Sequence, residues 1–244
     1  MWIQPLSAVP PVSASMRLFC FPYAGAGASI YRPWRPLLPP HVELFGVQYP
    51  GRETRVAEAA HTDLHTLVEA LLAELRPQLD RPFVLFGHSM GALVAFETAR
   101  ALYQRHGLKP EHLFLSGAGA PHIPEPNPIH DLSNGGFLRA LLRLNGFPRE
   151  ALNSPELLLY ALPILRADFL VCERYRYHIG EPLPCPVTAF GGTHDQRVDR
   201  KRVEAWVEHA SVQFSSRLFP GDHFFVRSAQ ESVVRAVIAE LEAA

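Results

Sequence analysis

Phe83-Val84-Leu85-Phe86-Gly87-His88-Ser89-Met90-Gly91-Ala92 is the stretch that decides how this chain is read. It opens with an unbroken apolar run, carries Gly-x-Ser-x-Gly at its centre, and passes into a helical pattern over Leu93–Arg105. A serine in such a strand–turn–helix setting sits on a sharp, strained turn with its hydroxyl pointing out of the sheet. Glycines two residues to either side let strand and helix approach without a Cβ collision. The helix that begins at Met90 aims its positive dipole end and unpaired N–H groups at the reacting oxygen. The motif therefore predicts Ser89 as a nucleophile and the Met90 N–H as one donor to an oxyanion.

Outward from this stretch, short apolar runs alternate with helical patterns. Arg17–Phe21, Glu43–Val47, Phe83–Phe86, His112–Leu115 and Val187–Phe190 are continuous runs, and Val212–Phe219 is a sixth, more polar candidate. Runs of that length suit strands buried on both faces by helices. Leu64, Leu67, Val68, Leu71, Leu72, Leu75 and Leu79 form a helical stripe, with Asp63 or Thr62 to cap it and Pro77 to help end it. Leu93–Tyr103 and Ser228–Leu241 give further helices. The class expected is α/β, with a mostly parallel central sheet flanked by helices.

A length of 244 residues fits one α/β domain, 1–244, with an insertion. Two proline clusters, Pro121 to Pro128 and Pro182 to Pro186, bracket that insertion at 121–186, while Pro5, Pro10 and Pro11 mark an extended leader. The chain is 48% hydrophobic and 19% charged, which excludes global disorder. A formal net charge of −1 leaves no basic footprint for nucleic acid. No stretch approaches the roughly 18–20 apolar residues of a membrane span, and the N-terminal residues lack the basic and apolar regions of a secretory signal. Cys20, Cys172 and Cys185 are odd in number without a C-x-x-C pair, and read as small buried hydrophobes in a reducing compartment. The expectation is a soluble, cytoplasmic protein.

A serine at its ordinary pKa needs a base, and the base needs an orienting acid. Two later runs end in loops that supply them in the order serine, acid, histidine. Val187–Phe190 leads into Gly191-Gly192-Thr193-His194-Asp195, and the last run leads into Pro220-Gly221-Asp222-His223. Catalytic groups gather at the carboxyl edge of parallel strands, so Asp195 and His223 are predicted to meet Ser89 there. Asp199 reads as a helix cap, His194 as loop surface, and Asp222 as too close in sequence to face His223. His61 and His65 share an i, i+4 spacing but lack a third ligand, so a solvated helix start is the reading and no metal is expected. A second oxyanion donor is expected from the small-residue loop Phe21–Ser29, in which Gly25-Ala26-Gly27 does not complete G-x-G-x-x-G.

Together, Phe19-Cys20-Phe21-Pro22-Tyr23-Ala24-Gly25, Tyr31-Arg32-x-Trp34, Gln48-Tyr49-Pro50-Gly51-Arg52, Gly87-His88-Ser89-Met90-Gly91-Ala92, Leu165-Arg166-Ala167-Asp168, Gly192-x-x-Asp195 and Gly221-Asp222-His223-Phe224-Phe225 span most of the chain. With these motifs the chain resembles the stand-alone, editing type II thioesterases of nonribosomal peptide and polyketide synthases. It departs from them in having Gly25-Ala26-Gly27 where consecutive glycines are common. The resemblance implies an α/β-hydrolase fold, a Ser89–Asp195–His223 triad, an oxyanion hole from the backbones of Ala24 and Met90, and a helical lid within 121–186. It implies acyl thioesters on the phosphopantetheine arm of acyl or peptidyl carrier domains as substrate, with no cofactor of the enzyme's own. Nucleic acid and membrane are not implied as partners, and a monomer is expected.

The insertion holds Phe137, Leu138, Leu141, Leu142, Leu144, Phe147, Leu157–Leu159, Leu162, Ile164 and Leu165, enough apolar surface to line an acyl pocket as well as to pack a lid. Arg139, Arg143, Arg149, Arg166, Arg174 and Arg176 lie in or near it, and arginine suits docking to an acidic carrier. Two other readings stand beside this one: a general carboxylesterase or lipase acting on free esters, and an inactive hydrolase-fold binding protein.

Overall fold

The computed structural model describes residues 1–6, 14–125, 127–145 and 154–242. Its seven-stranded sheet comprises β1 (Ile3–Pro5), β2 (Met16–Phe21), β3 (Val42–Val47), β4 (Phe83–His88), β5 (His112–Ser116), β6 (Val187–Gly192) and β7 (Phe214–Phe219), in the order β1-β3-β2-β4-β5-β6-β7. Only β1 is antiparallel to its neighbour. The mostly parallel sheet flanked by helices is what the alternation of strand and helix patterns predicted, and it is the α/β-hydrolase architecture that the family resemblance implied.

Continuous apolar runs form these strands because both faces are covered. Side chains alternate across a strand, so Phe19, Leu85, Leu113 and Ala189 enter one apolar layer and Leu18, Phe86, Phe114 and Phe190 the other. The first layer packs under α1 (Leu64–Leu75) and α2 (Met90–His106). The second is covered by the 3₁₀ segment Ala28–Leu37, which inserts Tyr31 and Trp34, and by the C-terminal helix, which inserts Val233, Val234 and Val237.

Local signals explain most boundaries. Asp63 accepts a hydrogen bond from Thr66 N and starts α1. The stripe predicted to reach Leu79 stops as α-helix at Leu75, because a 3₁₀ turn containing Pro77 follows and delivers Leu79 to the core from outside the helix. Gly107, at φ +64°, ends α2. β1 has no counterpart among the six predicted strands. It is three residues long and contains a proline that only an edge strand tolerates. β7 begins at Phe214 rather than Val212, whose side chain is exposed.

Between β5 and β6 lie α3 (Asn134–Arg143) and α4 (Pro155–Glu173). Phe137, Leu141, Leu165 and Phe169 form a small separate cluster there, whereas Val171, Leu183 and Cys185 join the main core. Beyond β6, α5 (Arg200–Glu204) precedes β7, and α6 (Phe225–Ser228) and α7 (Gln230–Glu242) close the fold. Among the described residues no helix is long and apolar enough to cross a membrane.

Candidate active site

Ser89 lies between β4 and α2 with φ +54° and ψ −117°, a conformation that costs a residue with a side chain on the order of 1–3 kcal/mol. The surroundings leave it no alternative. A Cβ on Gly87 would lie 2.1 Å from the Gly91 carbonyl oxygen, and one on Gly91 would lie 2.0 Å from the Phe21 carbonyl oxygen. Strand, elbow and helix are therefore packed backbone to backbone, and the Ser89 N–H donates across to the Ser116 carbonyl at 2.7 Å.

The same sheet edge gathers the other two predicted groups. Asp195 follows β6 and His223 follows β7, and their loops touch: the His194 N–H donates to the Gly221 carbonyl, and a Cβ on Gly192 would sit 2.4 Å from the Asp222 carbonyl oxygen. His223 Nε2 is 2.9 Å from Ser89 Oγ, and His223 Nδ1 is 2.7 Å from Asp195 Oδ2. The other Asp195 oxygen accepts from the N–H groups of Arg197 and Val198. Burial raises the Asp195 carboxyl, but the hydrogen bond and charge of His223 and these two N–H donors outweigh it and hold its pKa below the ordinary value. Asp199 caps α5 by accepting from Arg202 N, Asp222 bonds Phe224 N and Asn145, and His194 is exposed, so none of the three competes.

Met90 opens α2, where the first N–H groups have no acceptor within the helix. Ala24 lines, with Ser89, Met90 and His223, a cavity of about 710 Å³. Gly117–Pro124, the end of α4 and Arg197 complete its walls. A narrow crevice of about 30 Å³ runs from Ser89 and His223 between Tyr23, Leu141, Leu144 and Leu165. Of the apolar insertion residues expected to line a pocket, these three leucines do so; Phe147 lies outside the described residues, as does Arg149. Arg166 is tied to the carbonyls of His130 and Leu132 and to Asn134, and lies over the Phe137 ring, so it braces the insertion instead of facing a partner. Arg139 and Arg143 are exposed on α3. His61 sits against Trp2, and His65 faces Tyr175 and His178; no described group of three or more metal-ligating side chains is arranged to hold an ion.

Two features escaped the sequence reading. His88, at the variable position of the motif, is fully buried; its Nε2–H donates to the His223 carbonyl at 2.9 Å, and its Nδ1 accepts from Ser116 Oγ at 2.8 Å. Burial, reinforced by the charge of His223, lowers its pKa from the ordinary 6.5 to about 3, so it stays neutral and braces the backbone of the histidine that faces Ser89. A histidine inside the motif was the only available signal. The second is the buried pair of Arg52 and Asp168, whose partners lie 116 residues apart; both residues were quoted within motifs, but no pattern in a single sequence joins them.

The buried imidazole sets an acid limit on stability. Between about pH 3 and 6.5 the unfolded chain protonates His88 and the folded chain does not, so stability is full above 6.5 and falls as pH drops. His112 and His209, both lowered to about 4 by burial, act in the same direction. The expected result is a urea midpoint that declines from pH 7.5 to 5, with a shallower decline in His88→Gln; an unchanged slope in that variant would remove His88 from the account.

Comparison with known proteins now adds to the geometry. A family profile described as "Thioesterase domain" matches residues 16–241. The chain is 44% identical over 241 residues to a Brevibacillus parabrevis protein named "Linear gramicidin dehydrogenase LgrE", covering 97% of this chain and 92% of that one. It is 43% identical to "Gramicidin S biosynthesis protein GrsT" of Aneurinibacillus migulanus, over 94% of this chain and 90% of the relative. The solved structure of YbtT, a type II thioesterase from the yersiniabactin pathway, superposes with a TM-score of 0.88 at 31% identity, covering 98% and 97% of the two chains. The first name speaks of a dehydrogenase, but the loop that follows β2 does not complete the G-x-G-x-x-G pattern of a dinucleotide site. The chain belongs to the thioesterase-domain family, on its type II branch, and is a hydrolase of thioesters.

Proposed function

We propose that this enzyme removes acyl groups from the phosphopantetheine arms of carrier domains, as an editing step in nonribosomal peptide or polyketide synthesis, with Ser89, His223 and Asp195 as its triad. The observation that carries the reading is the hydrogen-bonded run from Asp195 through His223 to Ser89 at the wall of a cavity large enough for an acyl group and part of its arm. Ser89 Oγ attacks the thioester carbonyl while His223 Nε2 takes its proton, and Asp195 stabilises the imidazolium. The N–H groups of Met90 and Ala24 receive the oxyanion. Collapse breaks the C–S bond, and His223 returns the proton to the departing sulfur. Water then attacks the acyl-serine with His223 again as base, releasing the acid and restoring Ser89.

The scheme calls on no cofactor of the enzyme, since the phosphopantetheine arrives with the substrate. The cluster of α3 with the first half of α4 acts as a lid, and the leucines beside Ser89 hold the acyl chain. Arg139 and Arg143, one turn apart and exposed, are the cations offered to an acidic carrier domain. The enzyme works as a monomer in the cytoplasm beside its synthase. The names of GrsT and YbtT, both tied to such pathways, support this assignment.

A comparison of kcat/KM for the same acyl group on a carrier domain, on N-acetylcysteamine and as a p-nitrophenyl ester tests it. Binding energy from the remote carrier is spent at the reacting centre, so the carrier substrate should lead by on the order of 10²-fold, about 2.7 kcal/mol. Equal values would point instead to a general esterase. Reversing both charges, Arg139→Glu with Arg143→Glu, should lower only the carrier value.

A further inference from the structure

Asp168 stands on the inner face of α4, three residues after Leu165, and both side chains meet the loop that follows β2. Asp168 Oδ2 accepts from the Gly25 N–H at 2.7 Å and from Arg52 Nη1 at 2.5 Å, while Oδ1 accepts from Arg52 Nη2 at 2.8 Å. Arg52 and Asp168 are each only 3% exposed. Arg52 is held in turn by the carbonyls of Pro50 and Ala26 and lies against the Tyr49 ring. The recipient is a turn: the Ala26 N–H donates to the Tyr23 carbonyl at 3.0 Å, with Gly25 at φ +81° in its third position, as a type II turn requires. Leu165 closes the other side, since a Cβ on Gly25 would lie 2.6 Å from its Cδ2.

This turn has Ala24 as its second residue. Its Tyr23–Ala24 peptide is fixed through the Tyr23 carbonyl, and a trans peptide directs the Ala24 N–H the opposite way. Its central peptide, which can flip in an unrestrained turn, is fixed by the bond from Gly25 N to Asp168. A buried ion pair is weak evidence for stability, because apolar residues of similar size often serve as well. The oxygen that reaches past Arg52 to one backbone N–H is what apolar residues could not supply.

We infer that Asp168, oriented by Arg52, is a positioning residue that locks the Ala24–Gly25 turn and so aims the Ala24 N–H at the developing oxyanion. The inference rests on the reading of Ala24 as an oxyanion donor, and it ties that donor to α4, an element of the insertion. The Arg52–Asp168 pair then belongs to the transition state and not to substrate binding.

The test compares the whole protein with Asp168→Ala, Asp168→Asn and Gly25→Ala, the last leaving the ion pair intact. Steady-state kinetics on an acyl thioester are read beside affinity for an alkyl boronic acid, which forms a tetrahedral adduct on Ser89, and for a pantetheine thioether of the same chain. Asp168→Ala should lower kcat about 10²-fold, near the loss seen when one oxyanion donor is removed, with KM within about threefold. Boronate affinity should fall in parallel and thioether affinity should hold. Gly25→Ala should show the same split, by at least about tenfold, and Asp168→Asn, which keeps an acceptor for Gly25, should lose less than Asp168→Ala. If Asp168→Ala does not fold, the other two variants decide. Undiminished kcat in folded variants, or a parallel loss for boronate and thioether, would overturn the positioning role. A loss of less than tenfold in Ser89→Ala would instead overturn the reading of Ser89 as nucleophile, on which the donor assignment rests, and the inference with it.

Discussion

Ser89→Ala should lower kcat for thioester hydrolysis by about 10⁴–10⁶-fold, the range found when a triad nucleophile is removed. The loss is chemical, because the Oγ forms its hydrogen bond with His223 and does not carry the elbow. The strained backbone at φ +54° is imposed by the contacts of Gly87 and Gly91, which the variant keeps. Thermal stability should therefore move by about 1 kcal/mol or less, the scale of one part-exposed hydrogen bond. A small residue of catalysis should persist, since the oxyanion donors and the binding surface remain. Single-turnover kinetics with an acyl-carrier substrate measure the loss, and a fluorophosphonate probe should label the parent enzyme at Ser89 and leave the variant unmodified. A variant slower by less than tenfold would move the nucleophile elsewhere.

Asp195→Asn should cost about 10⁴-fold in kcat, about 5.5 kcal/mol in the barrier. The substitution preserves shape: an amide oxygen still accepts from Arg197 N and Val198 N, so the loop after β6 keeps its course. What changes is the group facing His223 Nδ1 at 2.7 Å. A carboxylate there accepts a hydrogen bond from Nδ1–H, which keeps the proton on Nδ1 and leaves Nε2 free to accept from Ser89. An amide NH₂ donates to Nδ1, moves the imidazole proton to Nε2, and turns the base into a donor toward Ser89. The result expected is a collapse of kcat with little change in KM, read by steady-state kinetics alongside the thermal midpoint. A loss under tenfold would assign the orienting role to another acid. Asp199 is a poor claimant, because its carboxylate caps α5.

The sequence alone determined the parts that depend on short-range chemistry. Unbroken apolar runs forecast strands buried on both faces, since alternate residues must enter two layers. Gly-x-Ser-x-Gly forecast the elbow, because only glycine at positions 87 and 91 clears carbonyl oxygens about 2 Å away. Chain order and loop setting selected Asp195 and His223 and set aside Asp199, Asp222 and His194. Short-range signals said nothing about β1, whose three residues become a strand only by pairing with β3.

The tertiary structure alone decided the supports around those groups. Whether His88 braces His223 or lies in solvent depends on how β4 sits beside the β7 loop, which brings together residues 135 positions apart. Whether Arg52 and Asp168 are solvated charges or a buried clamp depends on α4 folding back over the β2 loop. The physical reason is one of range. Dihedral preferences, caps and periodicity are set by neighbours in the chain, and they survive in a string of letters. A buried charge acquires its meaning from whatever low-dielectric surroundings and partners the packed chain brings to it, and those exist only in three dimensions.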